Sequence, residues 1–269
     1  MQTLTLNDVH QRLLKIAVAF HQFCEKHQIP YYMLGGSMLG AIRHHGFIPW
    51  DDDMDFGIPR EHYVRFVEMA GKELPHPYKV ITYATSEYAM MGFAKMMDVT
   101  TRVEEEFQPR SNETLGVNID VFPLDHCHGN CGFWSSNFRT RALFKLQKLL
   151  FVEAKNRPFP KKILAKTAQM LIPINRTRIP RHQDHQLTTR ADGEQDKYAF
   201  YANYFGAWGL KEVVDKKIFG SPTLYPFETI ELYGAEFYDA YLCHLYGGYM
   251  QMPPEDQRHL HQTQAFALD

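Results

Sequence analysis

Two aspartates separated by one residue, Asp53 and Asp55, have the types and spacing that metal chemistry needs. On a β-strand their side chains would point to the same face, because residues two apart in a strand share a face. Mg²⁺ prefers oxygen ligands and often takes one or two carboxylates together with phosphate oxygens. The pattern therefore predicts a metal site for phosphate chemistry, with Mg²⁺ as the expected ion and Mn²⁺ as the alternative.

A third carboxylate, Asp120, lies in the apolar run Asn118–Phe122. A charge inside such a strand is costly unless it is paired or binds a metal. Asp120 from a neighbouring strand would complete a two-metal clamp for in-line phosphoryl transfer. We therefore predict Asp53, Asp55 and Asp120 as the catalytic and metal-binding residues.

A glycine pair upstream of the aspartates predicts a phosphate-binding turn. Gly35 and Gly36 would let the backbone come close to a phosphate, and Ser37 would cap a helix through Arg43 and donate to the ligand. Arg43 could hold a phosphate with two hydrogen bonds or be a surface charge, and Lys95 is a further phosphate-binding candidate. Taken singly, these residues also fit a plain turn and a capped loop. Their ordered combination with the aspartates favours the site.

The segment His126–Cys131 contains soft metal ligands, namely His126, Cys127, His128 and Cys131. Their spacing matches no standard zinc pattern, so a structural zinc site stays an open alternative.

The elements that would position these residues mix helices and strands. Apolar residues at intervals of three and four predict amphipathic helices, and alternating or apolar runs predict strands. Helices are expected at Leu6–His27, Ser37–Arg43, Arg60–Ala70, Trp134–Lys155, Lys161–Leu171 and Ala235–Tyr246. Strands are expected at Tyr31–Leu34, Asp53–Ile58, Tyr78–Tyr83, Phe93–Val99, Arg102–Phe107, Val117–Phe122, Tyr198–Tyr204 and Thr229–Tyr233. The polar stretch Arg176–Asp196 is predicted to be rich in loops.

This order of elements predicts the α+β class. Residues 1–133 would form a catalytic mixed-sheet core with an N-terminal helix. Residues 134–269 would add a basic helical segment and a C-terminal α/β portion, packed on the core as one compact unit.

The composition is ordinary for a soluble globular protein, with 269 residues, 45% of them hydrophobic, and a net charge of −2. These values argue against disorder and against nucleic acid as a partner. The stretch 137–181 is nevertheless basic, with twelve Lys or Arg against one acid, Glu153. It suits phosphorylated ligands or an anionic membrane face. We see no secretory signal, transmembrane run or disulfide framework, and expect a cytoplasmic protein, peripheral at the cytoplasmic face of the membrane.

The run Gly35–Asp55, GGSMLGAIRHHGFIPWDDDMD, resembles the signature of the LicD family of bacterial phosphorylcholine transferases, which is related to the fukutin group. Asp120–Asp125 and Tyr246–Pro254 resemble later motifs of that family, although Gly248 stands where an acidic residue is frequent. The resemblance extends over most of the chain.

The resemblance implies a nucleotidyltransferase-like fold and phosphocholine transfer from CDP-choline to a cell-surface glycan or lipid-linked glycan precursor, of the lipopolysaccharide or teichoic acid type. By position, Asp53, Asp55 and Asp120 would be the catalytic carboxylates. Related members use CDP-ribitol or other CDP-linked donors. Three further alternatives stay open: a nucleotidyltransferase that releases pyrophosphate, a glycosyltransferase, and a non-catalytic subunit of a glycan-assembly complex.

Overall fold

The computed structural model describes residues 1–89, 92–104, 107–109, 113–130, 142, 146, 152–154, 163, 167, 177–191, 197–255, 258 and 264–268. Helices in these ranges are α1 Leu6–His27, α2 Gly35–His44, α3 Arg60–Glu73, α4 Arg178–Ala191, α5 Lys216–Phe219 and α6 Tyr238–Tyr246. The strands are β1 Gln2–Thr3, β2 Tyr32–Met33, β3 Asp55–Pro59, β4 Tyr78–Ile81, β5 Ala94–Asp98, β6 Thr101–Glu104, β7 Phe107–Pro109, β8 Asn118–Cys127, β9 Val152–Ala154, β10 Phe200–Ala202, β11 Val213–Asp215, β12 Thr223–Phe227, β13 Ile230–Gly234 and β14 Gln264–Ala267.

Helix α1 has the predicted bounds because both of its ends carry local signals. The Thr5 hydroxyl accepts from the Asp8 N–H, and the Asp8 carboxylate accepts from the Thr5 N–H, which together form a capping box. Gln28 ends the helix in the left-handed conformation. The apolar face of the helix is buried and consists of Leu13, Ile16, Ala17, Phe20, Phe23 and Cys24.

Strand β8 is the centre of a seven-stranded mixed sheet. It runs parallel to β3 on one side, with Asp55–Pro59 opposite Asp120–Leu124. Its other side pairs antiparallel with β5 near the beginning and with β10 near the end. Strands β2, β4 and β11 extend the sheet further. The predicted α+β class with a mixed sheet is confirmed.

The two faces of this sheet differ in what covers them. On one face, Phe56 of β3 packs 4.7 Å from Phe20 of α1, measured between ring centroids. Asp55 alternates to the opposite face, where the start of α2 lies next to it. Helix α1 therefore covers one face of the sheet with apolar residues, whereas the other face carries charged residues near α2.

The C-terminal part of the chain contributes to the same sheet. Strands β10 and β11 pair with each other, and β10 pairs with β8. Strand β14 belongs instead to a separate three-stranded sheet, in which it pairs with both β1 and β6, so the end of the described chain lies beside its beginning.

Several predicted elements differ from the structure. Helix α2 begins at Gly35, with Leu34 as its N-cap, so Ser37 lies inside the first turn and does not cap the helix. Strand β3 begins at Asp55, and Asp53 precedes it in irregular structure. The prediction of one strand at Arg102–Phe107 was also wrong, because β6 and β7 are separate elements.

The prediction of a loop-rich stretch at Arg176–Asp196 was wrong, because α4 occupies Arg178–Ala191. Apolar spacing did not predict this helix, because the contact that holds it against the rest of the protein is polar. The Asp184 carboxylate of α4 accepts from Arg60 and from Tyr83, at 2.7 and 2.9 Å.

The predicted basic helices Trp134–Lys155 and Lys161–Leu171 fall mostly outside the described residues. Within the first, Val152–Ala154 is a strand, β9, which pairs with β7.

Candidate active site

Three charged residues form a row across adjacent strands. Asp55 of β3 is the parallel partner of Asp120 of β8, and Asp120 is the antiparallel partner of Lys95 of β5. Paired residues in neighbouring strands lie about 4.8 Å apart and share a face. Two residues predicted as catalytic and one predicted to bind phosphate are thus brought together by strand register.

Lys95 and Asp120 form an ion pair in this row. The Lys95 Nζ donates to Asp120 Oδ1 at 2.6 Å and to Asn118 Oδ1 at 3.1 Å. Both charged side chains remain accessible, with exposed fractions of 19% for Lys95 and 24% for Asp120. The pair therefore lies where a ligand can reach it.

The Asp55 carboxylate lies in an unfavourable environment for a negative charge. Burial raises its pKa well above the usual value, and the charges of Asp53 and Asp120 raise it further. Asp53 itself is exposed and precedes the strand. The charge of Asp53 thus acts on the Asp55 carboxylate, although only Asp55 is in β3.

The donor set fits a hard divalent cation. Asp53, Asp55 and Asp120 could supply oxygen ligands, and a cation among them would relieve the repulsion on Asp55. Among the residues that the structure describes, no three Asp, Glu, His or Cys side chains already stand in a geometry that would hold a metal ion. Asp120 contacts the Lys95 ammonium instead.

The start of α2 lies against these carboxylates. Gly35 has a φ of +48°, and a side-chain Cβ there would lie 3.8 Å from Asp55 Oδ2. A Cβ at Gly36 would lie only 2.8 Å from Asp51 Oδ2, so a larger residue would displace that carboxylate. The two glycines thus permit a close approach between the start of α2 and the segment from Asp51 to Asp55.

The polar groups of this turn are partly engaged within the protein. The Ser37 hydroxyl accepts from the Asp55 N–H at 2.8 Å, which ties α2 to the first residue of β3. The Gly35 N–H donates to the Tyr241 hydroxyl at 3.1 Å. Ser37 therefore positions Asp55, whereas Gly36 is not engaged in either contact.

Arg43, predicted to bind phosphate, lies at the other end of α2. Its Nη1 donates to the Tyr249 carbonyl at 2.9 Å and its Nε to His44 Nε2 at 3.0 Å. The structure therefore places this guanidinium on the C-terminal motif, separate from the row formed by Asp55, Asp120 and Lys95.

Sequence reasoning missed the contribution of the C-terminal third to this site. Tyr246 has its hydroxyl 3.6 Å from the Cβ position of Gly35, and burial and the charge of Asp55 raise its pKa. Burial raises the pKa of Glu212 to about 7, and its charge acts on Tyr241, Tyr246 and Asp55. Tyr246 belongs to a motif that the sequence shows, whereas no pattern marks Glu212.

The alternative zinc ligands do not converge within the described chain. His126 Nε2 lies 3.2 Å from Glu61 Oε2, whereas the Cys127 thiol faces the Gly129 carbonyl and the Tyr204 hydroxyl. His128 packs on Tyr198, with ring centroids 4.2 Å apart. Cys131 lies outside the described residues.

None of the helices in the described ranges is long and apolar enough to cross a bilayer.

The chain is similar to known transferases. It is 28% identical to lipopolysaccharide cholinephosphotransferase LicD of Haemophilus influenzae over 279 aligned residues, which cover 100% of both chains. It is 43% identical to an uncharacterized protein of Rickettsia typhi over 113 residues, covering 41% of this chain and 33% of that one. The human ribitol 5-phosphate transferase FKRP is 44% identical over 45 residues, which are 17% of this chain and 9% of FKRP.

Residues 28–164 match the family described as LicD/FKTN/FKRP, nucleotidyltransferase domain. The matched range is just over half of the chain and contains Gly35, Asp55, Lys95 and Asp120. The chain therefore belongs to the LicD/FKTN/FKRP family of transferase enzymes.

Proposed function

We propose that this chain transfers phosphocholine from CDP-choline to a hydroxyl of a cell-surface glycan or lipid-linked glycan precursor, and releases CMP. The observation that carries the proposal is the row of Asp55, Asp120 and Lys95 beside the glycine turn of α2, in which Asp120 and Lys95 are accessible. Similarity to the lipopolysaccharide cholinephosphotransferase of Haemophilus influenzae over the full length supports the choice of transferred group and acceptor.

We assign the metal-binding role to Asp53, Asp55 and Asp120, with Mg²⁺ as the preferred ion and Mn²⁺ as the alternative. The bound cation would neutralise the charge of the donor pyrophosphate and that of the carboxylates around Asp55. In this assignment Ser37 acts on Asp55, because its hydroxyl holds the Asp55 backbone.

The side chains of the row have complementary roles in the transfer. Lys95 is a mobile point charge that can shift from Asp120 to a donor phosphate, since ammonium groups commonly bind phosphate in this way. Asp120 then accepts the proton of the acceptor hydroxyl. The hydroxyl oxygen forms a bond to the phosphorus on the choline side, the bond from that phosphorus to the bridging oxygen breaks, and CMP leaves with the electron pair.

The same residues support a nucleotidyltransferase-like core. A short helix that begins at a glycine pair precedes a strand whose first residue is Asp55, and the adjacent parallel strand supplies Asp120. This arrangement brings a phosphate-binding turn and acidic side chains to one end of a sheet, which suits catalysis by positioning and charge neutralisation.

We further propose that the basic stretch 137–181 faces the acceptor at the cytoplasmic face of the membrane. Its twelve Lys or Arg against one acid would attract an anionic surface. Co-sedimentation with vesicles of phosphatidylglycerol, compared with vesicles of phosphatidylcholine at the same ionic strength, tests this point. Equal binding to both kinds of vesicle would contradict it.

A second candidate function is the transfer of ribitol phosphate from CDP-ribitol. The match to human ribitol 5-phosphate transferase FKRP favours this candidate, although it spans only 45 residues. The two functions share the metal-binding carboxylates and differ in the group that follows the donor phosphate.

Donor competition separates these candidates. Purified protein is incubated with Mg²⁺, a crude glycolipid acceptor and either CDP-choline or CDP-ribitol, and CMP release is followed by chromatography. We expect CDP-choline to be the preferred donor and EDTA to abolish turnover. Equal use of both donors would remove the choline assignment, release of pyrophosphate would indicate a nucleotidyltransferase, and no turnover with any donor would favour a non-catalytic subunit.

A further inference from the structure

A tryptophan that the proposed chemistry does not use lies beside the active site. The Trp208 side chain is 49% exposed, and its ring meets the ring of Tyr246 edge-on, with centroids 5.2 Å apart. The Tyr246 hydroxyl in turn lies next to Gly35 and interacts with Asp55. An exposed tryptophan is therefore one tyrosine ring away from the turn that is proposed to bind phosphate.

The carboxylate of Glu212 is hydrogen-bonded to the backbone of this tryptophan. Glu212 Oε1 accepts from the backbone N–H of Trp208 at 3.2 Å. The same carboxylate lies against Gly206, where any Cβ would clash with it. The loop Asn203–Trp208 thus wraps around Glu212, whose carboxylate lies against the backbone of this loop.

Glu212 has no cationic partner among the described Lys, Arg and His side chains. Within the described part of the chain, the hydrogen bond to its side chain comes from a neutral backbone amide, and burial raises its pKa to about 7. A buried carboxylate without a cation is costly, whereas a bound cation would compensate it.

Lys211 precedes Glu212, and its ammonium is engaged by other groups. Lys211 Nζ lies 5.8 Å from the centroid of the Trp208 ring, near the outer limit of a cation–π contact. The same ammonium donates to the Leu245 carbonyl at 2.6 Å. Lys211 is therefore held by a backbone oxygen, and the aromatic surface and the Glu212 carboxylate can serve a ligand.

We propose that Trp208, Tyr246 and Glu212 form the subsite that binds the quaternary ammonium of the donor. The inference rests on the proposed function, which it deepens by assigning the residues that select choline. Aromatic faces combined with a carboxylate are a general means of binding quaternary ammonium groups. Phosphocholine carries its phosphate and its ammonium at opposite ends of a short chain. Tyr246, with its hydroxyl at Gly35 and its ring against Trp208, spans the same two positions.

Two substitutions and one control test the subsite. Trp208→Leu removes the aromatic face, and Glu212→Gln removes the charge while keeping an acceptor for the backbone N–H of Trp208. Phe237→Leu is the matched control, because Phe237 is 54% exposed and precedes α6 at the end opposite to Tyr246. Denaturant unfolding of all three variants establishes that each one folds.

Binding of free phosphocholine, measured by isothermal titration calorimetry, is the first readout. We expect Trp208→Leu and Glu212→Gln each to weaken binding by about threefold to thirtyfold, as loss of a cation–π or charge contact does. Phe237→Leu should bind as the wild type does. Wild-type affinity in both subsite variants would overturn the inference, and this readout does not require turnover.

Steady-state CMP release is the second readout. We expect KM for CDP-choline to rise in both subsite variants by a similar factor, with kcat changed by less than about twofold, because the contact is made equally in the ground and transition states. KM for CDP-ribitol should stay unchanged. An equal rise in KM for both donors would overturn the inference, because it would assign Trp208 to the shared nucleotide. Absence of turnover in the wild type would instead reject the proposed function, and calorimetry would still decide the subsite.

Discussion

The central strand β8 carries two aspartates, each with a cation, in very different surroundings. Asp120 faces Lys95 through one short contact, and both side chains are partly exposed. Asp125, five residues later, receives two hydrogen bonds from Arg60, and both side chains are only 1% exposed. Arg60 also binds Asp184 of α4 at 2.7 Å.

This difference distinguishes a structural ion pair from a pair that can react. Arg60 is held by a bidentate contact and a second carboxylate, so neither partner can exchange its contacts for those of a ligand. Lys95 makes a single contact with Asp120 in a place that a ligand can reach, and its flexible ammonium can move to a phosphate. Residue type alone would not separate the two aspartates, whereas exposure and number of contacts do.

The largest expected effect on activity comes from the accessible pair of Asp120 and Lys95. Asp120→Asn should lower turnover by about a thousandfold, because it removes both a metal ligand and the proton acceptor. Its free energy of unfolding should change by less than about 1 kcal/mol, as is typical of exposed ion pairs. CMP release and urea unfolding measure the two quantities. If Asp120→Asn loses enough stability to account for its lost activity, the distinction between the accessible pair and the buried pair fails.

The largest expected effect on stability comes from the buried pair of Asp125 and Arg60. Asp125→Asn keeps the size of the side chain but leaves the buried Arg60 with less compensation, and should cost about 3–5 kcal/mol of unfolding free energy. Turnover per folded molecule should stay close to that of the wild type. The matched substitution at Asp120 on the same strand is the control. If Asp125→Asn is as stable as the wild type, the assignment of a structural role fails.

Glu212 differs from both Asp120 and Asp125, because it is a buried carboxylate with no cation from the described part of the chain. Its pKa is raised from 4.5 to about 7 on folding, so the folded chain holds this proton more tightly than the unfolded chain. The free energy of unfolding should therefore fall as pH rises from about 4.5 to 7. Asp55 has a raised pKa as well and should add to the fall.

The variant Glu212→Gln isolates this contribution. Because glutamine does not titrate, the variant should gain stability relative to the wild type on going from pH 5 to pH 8, by on the order of 1–3 kcal/mol. Urea unfolding of both proteins at the two pH values measures the difference. A gap between the two proteins that is the same at both pH values would show that Glu212 does not titrate in this range.

Arg43 gives the smallest expected effect. Its guanidinium donates to the Tyr249 carbonyl, so Arg43→Gln should cost about 1 kcal/mol of unfolding free energy, the typical value of one such hydrogen bond. KM for CDP-choline should rise by less than about threefold, a change below 1 kcal/mol. A rise of more than tenfold would instead support direct binding of a donor phosphate by Arg43, as the sequence predicts.

Local signals explain which parts of the fold could be predicted. Helix α1 is marked by the Thr5 cap and by apolar spacing, and its predicted bounds are confirmed. Helix α4 was missed because its fold-specific contact is made by Asp184 to a buried arginine that lies far away in sequence. The start of α2 was placed two residues late, because Ser37 binds the Asp55 backbone instead of capping the helix.

The candidate site was predictable where its residues belong to strands of one sheet. Asp55, Asp120 and Lys95 were each identified from a charge in an apolar or alternating run, and strand register then brings them together. Glu212 and Trp208 were not identified as site residues, because they lie in a loop and a 3-10 turn whose position depends on tertiary packing against Tyr246. No periodicity in the sequence carries that information.

The central claim is that the carboxylates at the start of β3 and in β8 drive the release of CMP from CDP-choline. The most direct measurement compares CMP release by the wild type and Asp55→Asn, with Mg²⁺ and a glycolipid acceptor, after unfolding curves have shown both proteins to be folded. We expect turnover by the wild type and at least about a thousandfold loss in the variant. Wild-type turnover in a folded Asp55→Asn protein would contradict the account.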